Sequence, residues 1–277
     1  MKKIHLPSGR EIPVLGQGTW RMGEDSSQKD AEIAALRLGL DMGMTLIDTA
    51  EMYGEGGAEK VVGEAIANRR ESVYLVSKVY PHNASRKGAV AACDRSLKRL
   101  KTDCIDLYLL HWRSSIPLSE TLEAFESLKQ AGKIRDYGVS NFDVDDMKKA
   151  INLPNGKQIA TNQVLYNLAR RGIEWDLLPW SRQQNIPIMA YSPIEQKAIL
   201  NNSQLKSIAS RHNATSAQIA LAWLLQQQEI IAIPKASNPE HVKENSAALN
   251  IQLTQQDLTE LDKAFVPPNR KMSLAIR

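Results

Sequence analysis

"TLIDTAEMYG", residues 45–54, begins as a strand and ends as chemistry. Leu46 and Ile47 stand side by side, as in a strand covered on both faces, and the run then gives way to Asp48, Glu51 and Tyr53. A strand buried on both faces belongs to a parallel sheet with helices around it, so similar runs should recur along the chain. They do: "VYLVSK" (73–78), "IDLYLLH" (105–111), "IRDYGVS" (134–140), "IATNQ" (159–163), "IPIMAYS" (186–192) and "IIAIPK" (230–235). With "LGQGT" (15–19) as the first, the count reaches eight.

Helical patterns fill the gaps. Ile33, Leu36 and Leu40 share one face of a helix, as do Val90, Cys93, Leu97 and Leu100 on a later one. Ser27 to Asp30, Thr215 to Gln218 and Thr254 to Asp257 each have capping-box spacing. The long stretch between Tyr191 and Lys235 leaves room for two helices. Eight strands alternating with helices predict an α/β protein built as a closed (β/α)8 TIM barrel, with an open doubly wound sheet as the alternative. "KIHLPSGREIPVL" (3–15) reads as an N-terminal β-hairpin turned at Ser8 and Gly9 that caps the barrel's lower end, and "VPPNRKMSLAIR" (266–277) as a short C-terminal tail. No linker or shift in composition divides the chain, so residues 1–277 are expected to form a single domain.

Composition narrows the function. A chain of 277 residues that is 43% hydrophobic can bury a sizeable core. No run approaches the roughly 18 apolar residues of a membrane span. Pro7 and Gly9 interrupt the start before a signal-peptide core forms, so the expected address is the cytoplasm. Cys93 and Cys104, the only cysteines, lack metal or disulfide spacing and read as reduced, half-buried residues. The net charge of +4 is spread without the basic stripe of a nucleic-acid binder; a small anionic ligand suits it better.

Barrel enzymes carry their chemistry at the C-terminal ends of the strands. Here those ends are Asp48, Lys78, His111, Ser140 with Asn141, Gln163, Tyr191 with Ser192, and Lys235. Singly, each has a plain structural explanation: Asp48 as a turn cap, Lys78 as a solvated cation, His111 as a packed imidazole. A ring of them is harder to dismiss, because burying Asp and Lys without partners would cost several kcal/mol. Tyr53 can fold back over the mouth as a proton donor, made more acidic by Lys78, which Asp48 would hold charged. His111 can bond a substrate carbonyl oxygen. The five histidines show no HxH or HExxH pairing, and no metal is expected. Tyr191 offers a flat face to a nicotinamide ring, and Ser140, Asn141 and Gln163 offer groups for its carboxamide. In "IPKASNPEHVKEN" (233–245), Asn238 as N-cap and Pro239 at the first helical position expose a helix N-terminus to phosphate beside Lys235. The Gly-rich "YGEGGAE" (53–59) lacks the P-loop and Rossmann patterns and reads as a flexible lead into a helix.

Over nearly its whole length the sequence resembles the aldo-keto reductases. "LIDTAEMYG", "VSK" and "LYLLHW" are similar to the segments bearing the family's catalytic Asp, Tyr, Lys and His, here Asp48, Tyr53, Lys78 and His111. "GVSNF", "NQVLYN", "MAYSP" and "IPKASNPEHVKEN" resemble its cofactor segments in order. The resemblance implies NADPH as cofactor, held by Ser140, Asn141, Gln163, Tyr191 and Ser192 at the nicotinamide. It assigns Lys235, Ser237, Asn238, His241, Glu244 and Asn245 to the phosphate and adenine end, and Trp20 and Trp112 to the substrate pocket. The family's usual Ser and Arg beside its 2′-phosphate lysine are replaced by Ala236 and His241, which weakens the case for strict NADPH selectivity. The implied function is NADPH-dependent reduction of a small-molecule carbonyl by a monomer. The rival is a nucleotide-binding sensor of the same fold with little turnover. Only "WRSSIPL" (112–118) and the tail are available to wall the pocket, so small electrophilic aldehydes such as methylglyoxal are expected to outrank steroids.

Overall fold

In the computed structural model, which describes residues 1–277, β1 (Lys3–His5) and β2 (Glu11–Pro13) pair as the antiparallel hairpin. Eight strands then run parallel in sequence order: β3 (Gly16–Gly18), β4 (Leu46–Asp48), β5 (Tyr74–Val79), β6 (Ile105–Leu110), β7 (Ile134–Ser140), β8 (Ile159–Leu165), β9 (Ile188–Tyr191) and β10 (Ile230–Ala232). The sheet closes on itself. Leu15 bridges Ala232 and Gly18 bridges Lys235, with Gly18 N–H donating to Pro234 O at 3.0 Å. A Cβ on Gly18 would sit 2.8 Å from the Ile233 carbonyl oxygen, so closure at this point needs glycine. The predicted barrel is therefore the observed one, and the open sheet is not.

Around it lie α1 (Lys29–Asp41), α2 (Gly57–Ala65), α3 (Arg86–Leu100), α4 (Leu118–Gln130), α5 (Val144–Ile151), α6 (Leu177–Gln183), α7 (Ser203–Arg211), α8 (Ser216–Leu225), α9 (Pro239–Ala247) and α10 (Gln255–Ala264). The two helices anticipated between β9 and β10 are α7 and α8. Thr215 and Thr254 form the expected capping boxes with Gln218 and Asp257. Ser27 does not cap with Asp30: residues 26–28 form a 3₁₀ turn capped by Asp25, and α1 starts at Lys29. The competing Asx interaction of Asp25 moves the helix start. No helix is long and apolar enough to cross a membrane.

Two apolar layers hold the barrel. Leu46, Val76, Leu107, Leu109, Ala160, Met189, Ile231 and Ile233 fill its interior, and Leu6 and Ile12 of the hairpin join them. The hairpin therefore plugs the lower end, as expected; Ser8 Oγ also reaches Asp136, early in β7, at 3.2 Å. Ile47, Leu75, Tyr108 and Val139 point outward into the layer beneath the helices. Both cysteines are unpaired, and Cys93 is fully buried, not half-buried.

Candidate active site

Two-residue alternation carries the site upward from this interior. Leu46 is an inner residue, so Asp48 is too; Val76 and Leu109 place Lys78 and His111 on the same inner face. Asp48 and Lys78 are 2% and 0% exposed. Lys78 spends its three N–H bonds on Asp48 Oδ2 (2.7 Å), the Thr49 carbonyl (2.9 Å) and Tyr53 Oη (3.2 Å). The Tyr53 oxygen accepts from an ammonium, so its own proton points elsewhere. Burial pushes the Tyr53 phenol above its ordinary value, and the charge of Lys78 pulls against this without overcoming it. The sequence expectation of an acidified tyrosine is thus corrected: at rest Tyr53 is a neutral phenol. Burial opposes the charge of Lys78, but Asp48 and Tyr53 more than offset that and hold it raised.

His111 lies edge-on to Tyr53, ring centroids 5.7 Å apart. Burial, with the charge of Lys78 adding to it, drives its pKa well below the usual histidine value, so it is neutral near pH 7. Its Nδ1 is sealed in without a partner, which leaves Nε2 to meet a ligand.

These groups form the floor of a cavity of about 530 Å³ at the C-terminal ends of the strands. Trp20, Asp48, Tyr53, His111, Trp112, Ser140, Asn141, Gln163, Tyr191, Ser192 and Lys235 line it, and Lys78 lies beneath. Ser237, Asn238, His241, Glu244 and Asn245 do not: they follow Lys235 onto α9 and its entry, outside the cavity. Asn238 caps α9 by accepting from Glu240 N–H at 2.9 Å, and Pro239 opens the helix, as the sequence suggested. Lys235 Nζ meets Ser237 Oγ at 3.1 Å. Partial desolvation lowers the pKa of Lys235, and the nearby charges of Lys197 and Arg21 lower it further against the opposing pull of Glu32 and Glu24.

The amides are more committed than the sequence suggested. Gln163 Nε2 donates to Asp48 Oδ1 at 2.7 Å, so only its Oε1 is left for a ligand. Asn141, at φ 59°, donates from Nδ2 to the His111 carbonyl (3.1 Å), and its Oδ1 accepts from the Tyr191 hydroxyl (2.9 Å). Ser140 Oγ donates to the Gln163 carbonyl at 2.8 Å.

Sequence reasoning missed several lining residues: Thr19, Arg21, Met52, Lys197 and Arg277 among them. Arg277 is the most consequential. The tail crosses to the mouth, where Arg277 N–H donates to Tyr191 Oη (3.2 Å) and its guanidinium to Glu195 (2.9 Å). The pocket is therefore less open than a short tail implied. Nor is "YGEGGAE" slack: residues 53–56 make a 3₁₀ turn, and a Cβ on Gly57 would meet Gly23 O at 2.3 Å. A larger depression of about 680 Å³ beneath the tail is bordered by Asp143, Arg171 and Met272 but contains none of the clustered acid, lysine, tyrosine and histidine.

Comparison with known proteins agrees with this geometry. Residues 14–265 match the model of the aldo/keto reductase family. The chain is 53% identical, over 99% of its length and 98% of the relative's, to methylglyoxal reductase YeaE of Escherichia coli K12. It is 33% identical, over 89% and 90%, to methylglyoxal reductase DkgB of Escherichia coli O157:H7. A Klebsiella pneumoniae aldo/keto reductase crystallised with NADP and acetate superposes with a TM-score of 0.97 at 48% identity, covering 100% of this chain and 99% of that one.

Proposed function

The chain belongs to the aldo/keto reductase family, and we propose that it reduces small aldehydes to alcohols with NADPH, Tyr53 delivering the proton. One observation carries this reading. The three donors of Lys78 are all engaged, one of them on Tyr53 Oη, so the phenol proton is the one left to face the cavity, beside a neutral imidazole.

The residues present fit the cofactor. Tyr191 offers a ring face at the cavity wall, Gln163 keeps Oε1 unengaged, and Arg21, Lys197 and Lys235 make a rim suited to phosphate. The N-terminus of α9, capped by Asn238, adds its dipole at the edge. When bound, NADPH supplies the hydride that reaches the carbonyl carbon. This chain does the rest: His111 Nε2 orients the carbonyl oxygen, Tyr53 Oη gives it a proton, and Lys78 stabilises the resulting phenolate while Asp48 keeps Lys78 charged. Ser237, His241, Glu244 and Asn245 are assigned to the adenine end on the family resemblance.

Cavity size supports small substrates. A cavity of about 530 Å³ that also admits a nicotinamide ring leaves space for a short carbonyl between Trp20 and Trp112, and little for a steroid. The methylglyoxal reductases among the relatives support a 2-oxoaldehyde. The test is kcat/KM with NADPH for methylglyoxal, a nitrobenzaldehyde, a sugar aldehyde and a steroid ketone. Methylglyoxal and the nitrobenzaldehyde should lead. A preference for the steroid would sink the substrate argument, and cofactor binding without oxidation of NADPH by any of them would favour a sensor.

A further inference from the structure

Glu51 has no part in the chemistry above, yet its side chain is only 7% exposed. Its Oε1 accepts from Tyr80 N–H at 2.7 Å and from Asn83 Nδ2 at 3.0 Å, and Oε2 faces the half-exposed Arg95 guanidinium at 3.5 Å. The Glu51 N–H donates to the Lys78 carbonyl at 3.3 Å. One residue thus ties the loop that carries Tyr53 to the chain that follows Lys78. What it grips is the start of the 81–83 turn, and Tyr80 at that point packs its ring against Trp112, centroids 5.4 Å apart at 67°. Trp112 in turn leans on His111 at 4.8 Å and lines the cavity, whereas Tyr80 and Glu51 do not.

We propose that Glu51 is a positioning residue for carbonyl specificity: through Tyr80 it fixes Trp112 as the aromatic wall of the substrate pocket. The inference rests on the aldehyde-reductase reading above. A carboxylate suits the task because one oxygen accepts both donors while the second keeps Arg95 as a counter-charge. The wall matters for a substrate with a ring to lay against Trp112, and little for a three-carbon dicarbonyl held by His111 and Tyr53.

The test compares a nitrobenzaldehyde with methylglyoxal. Glu51→Ala should raise KM for the aromatic aldehyde about three- to tenfold, the range of a lost aromatic contact, while KM for methylglyoxal moves by less than about twofold. kcat for both substrates and the dissociation constant of NADPH should stay near wild type. Glu51→Gln, whose amide oxygen can still accept from Tyr80 N–H, should restore the aromatic KM. Tyr80→Leu breaks the relay without touching the Glu51 contact to the backbone; it should reproduce the split and add nothing to Glu51→Ala, and it serves alone should that variant not fold. Equal KM changes for both aldehydes, or a fall in kcat with KM unmoved, would overturn the proposal. A readout independent of turnover separates it from the functional reading. Acrylamide quenching of Trp112, taken as the difference from a Trp112→Phe background, should increase in Glu51→Ala and Tyr80→Leu; no increase refutes the relay even if no aldehyde is reduced.

Discussion

Changing Tyr53 to Phe removes a single oxygen with two contacts to make, and the structure separates their magnitudes. As proton donor, that oxygen should account for the usual worth of general acid catalysis, a factor of about 10² to 10⁴ in rate. As acceptor, it takes one N–H of the fully buried Lys78. Phe leaves that ammonium with Asp48 and Thr49 only, and an unsatisfied buried donor costs roughly 1 to 3 kcal/mol. The ring still packs on His111, so no cavity opens. For a domain of this size each kcal/mol lowers Tm by about 2 to 4 °C, which gives a drop of roughly 2 to 12 °C. NADPH affinity should hold, because Tyr191 and Lys235 are untouched. Three measurements follow: NADPH oxidation with saturating methylglyoxal, NADPH binding by fluorescence, and a thermal melt. A variant within threefold of wild-type kcat would move the acid elsewhere. Loss of cofactor affinity together with rate would mean that the site had collapsed rather than lost its proton.

The same groups fix a pH profile. Burial holds His111 well below 6.5 and Tyr53 above 10.0, so kcat for reduction should stay level from about pH 7 to 9, and an inflection near 6.5 would contradict a neutral His111. Lys235→Ala removes a partly solvated cation, and after discounting a charge-assisted contact for screening, the NADPH preference over NADH should narrow by about five- to thirtyfold; equal binding of the two by the unmodified protein would refute the assignment. Lys78→Met leaves buried Asp48 with only Gln163, which should cost about 3 to 5 kcal/mol in urea unfolding, less whatever Asp48 regains by taking up a proton; an unchanged midpoint would show the pair to be dispensable to the fold. Burial opposes the charge of Asp257, but Arg211, His212 and Thr254 hold its carboxyl well below the ordinary value. A depressed folded-state pKa stabilises above the unfolded value near 3.8 and is lost as pH falls through the folded one, so Asp257→Asn should lower the urea midpoint at pH 7, with the gap narrowing below pH 3.8. A gap that widened in acid would reverse the sign.

What could be read from the sequence was what has a period. Recurring apolar runs marked the strands and put Asp48, Lys78 and His111 at their C-terminal ends, and Thr215 and Thr254 announced their helices through a fixed local spacing. What lay hidden has no period. Gln163 is separated by 115 residues from Asp48, the group that takes its amide, so its commitment depends on barrel closure. Arg277 reaches Tyr191 along an irregular tail, and Lys197 lies in a segment where Glu195, Gln196 and Lys197 all have positive φ, a conformation that sequence barely signals outside glycine and asparagine. The acidity of Tyr53 is hidden from the sequence for a related reason. A neighbouring lysine is visible in the motif; the depth of burial that outweighs it is a property of the packed barrel.

The placement of charge accounts for how one mouth can hold a polyanion and still act on an uncharged carbonyl. At the floor, Asp48 and the underlying Lys78 cancel at 2.7 Å, and burying such a pair costs several kcal/mol per ion, so it adds little to the fold and is explained by what stands beside it. His111 and Tyr53 are neutral at rest. Three cations, Arg21, Lys197 and Lys235, stand at the rim, where phosphate would meet them. With Tyr53 as the proposed donor, a substrate oxygen would meet little net field until the proton leaves it. A phenolate formed there would find an ammonium 3.2 Å away, in surroundings too dry to screen it. The attraction is small in the ground state and large in the transition state, the pattern that raises kcat rather than merely tightening binding. A carbonyl that readily accepts hydride gains most from such a site, because the stabilisation is realised only as its oxygen takes up the proton.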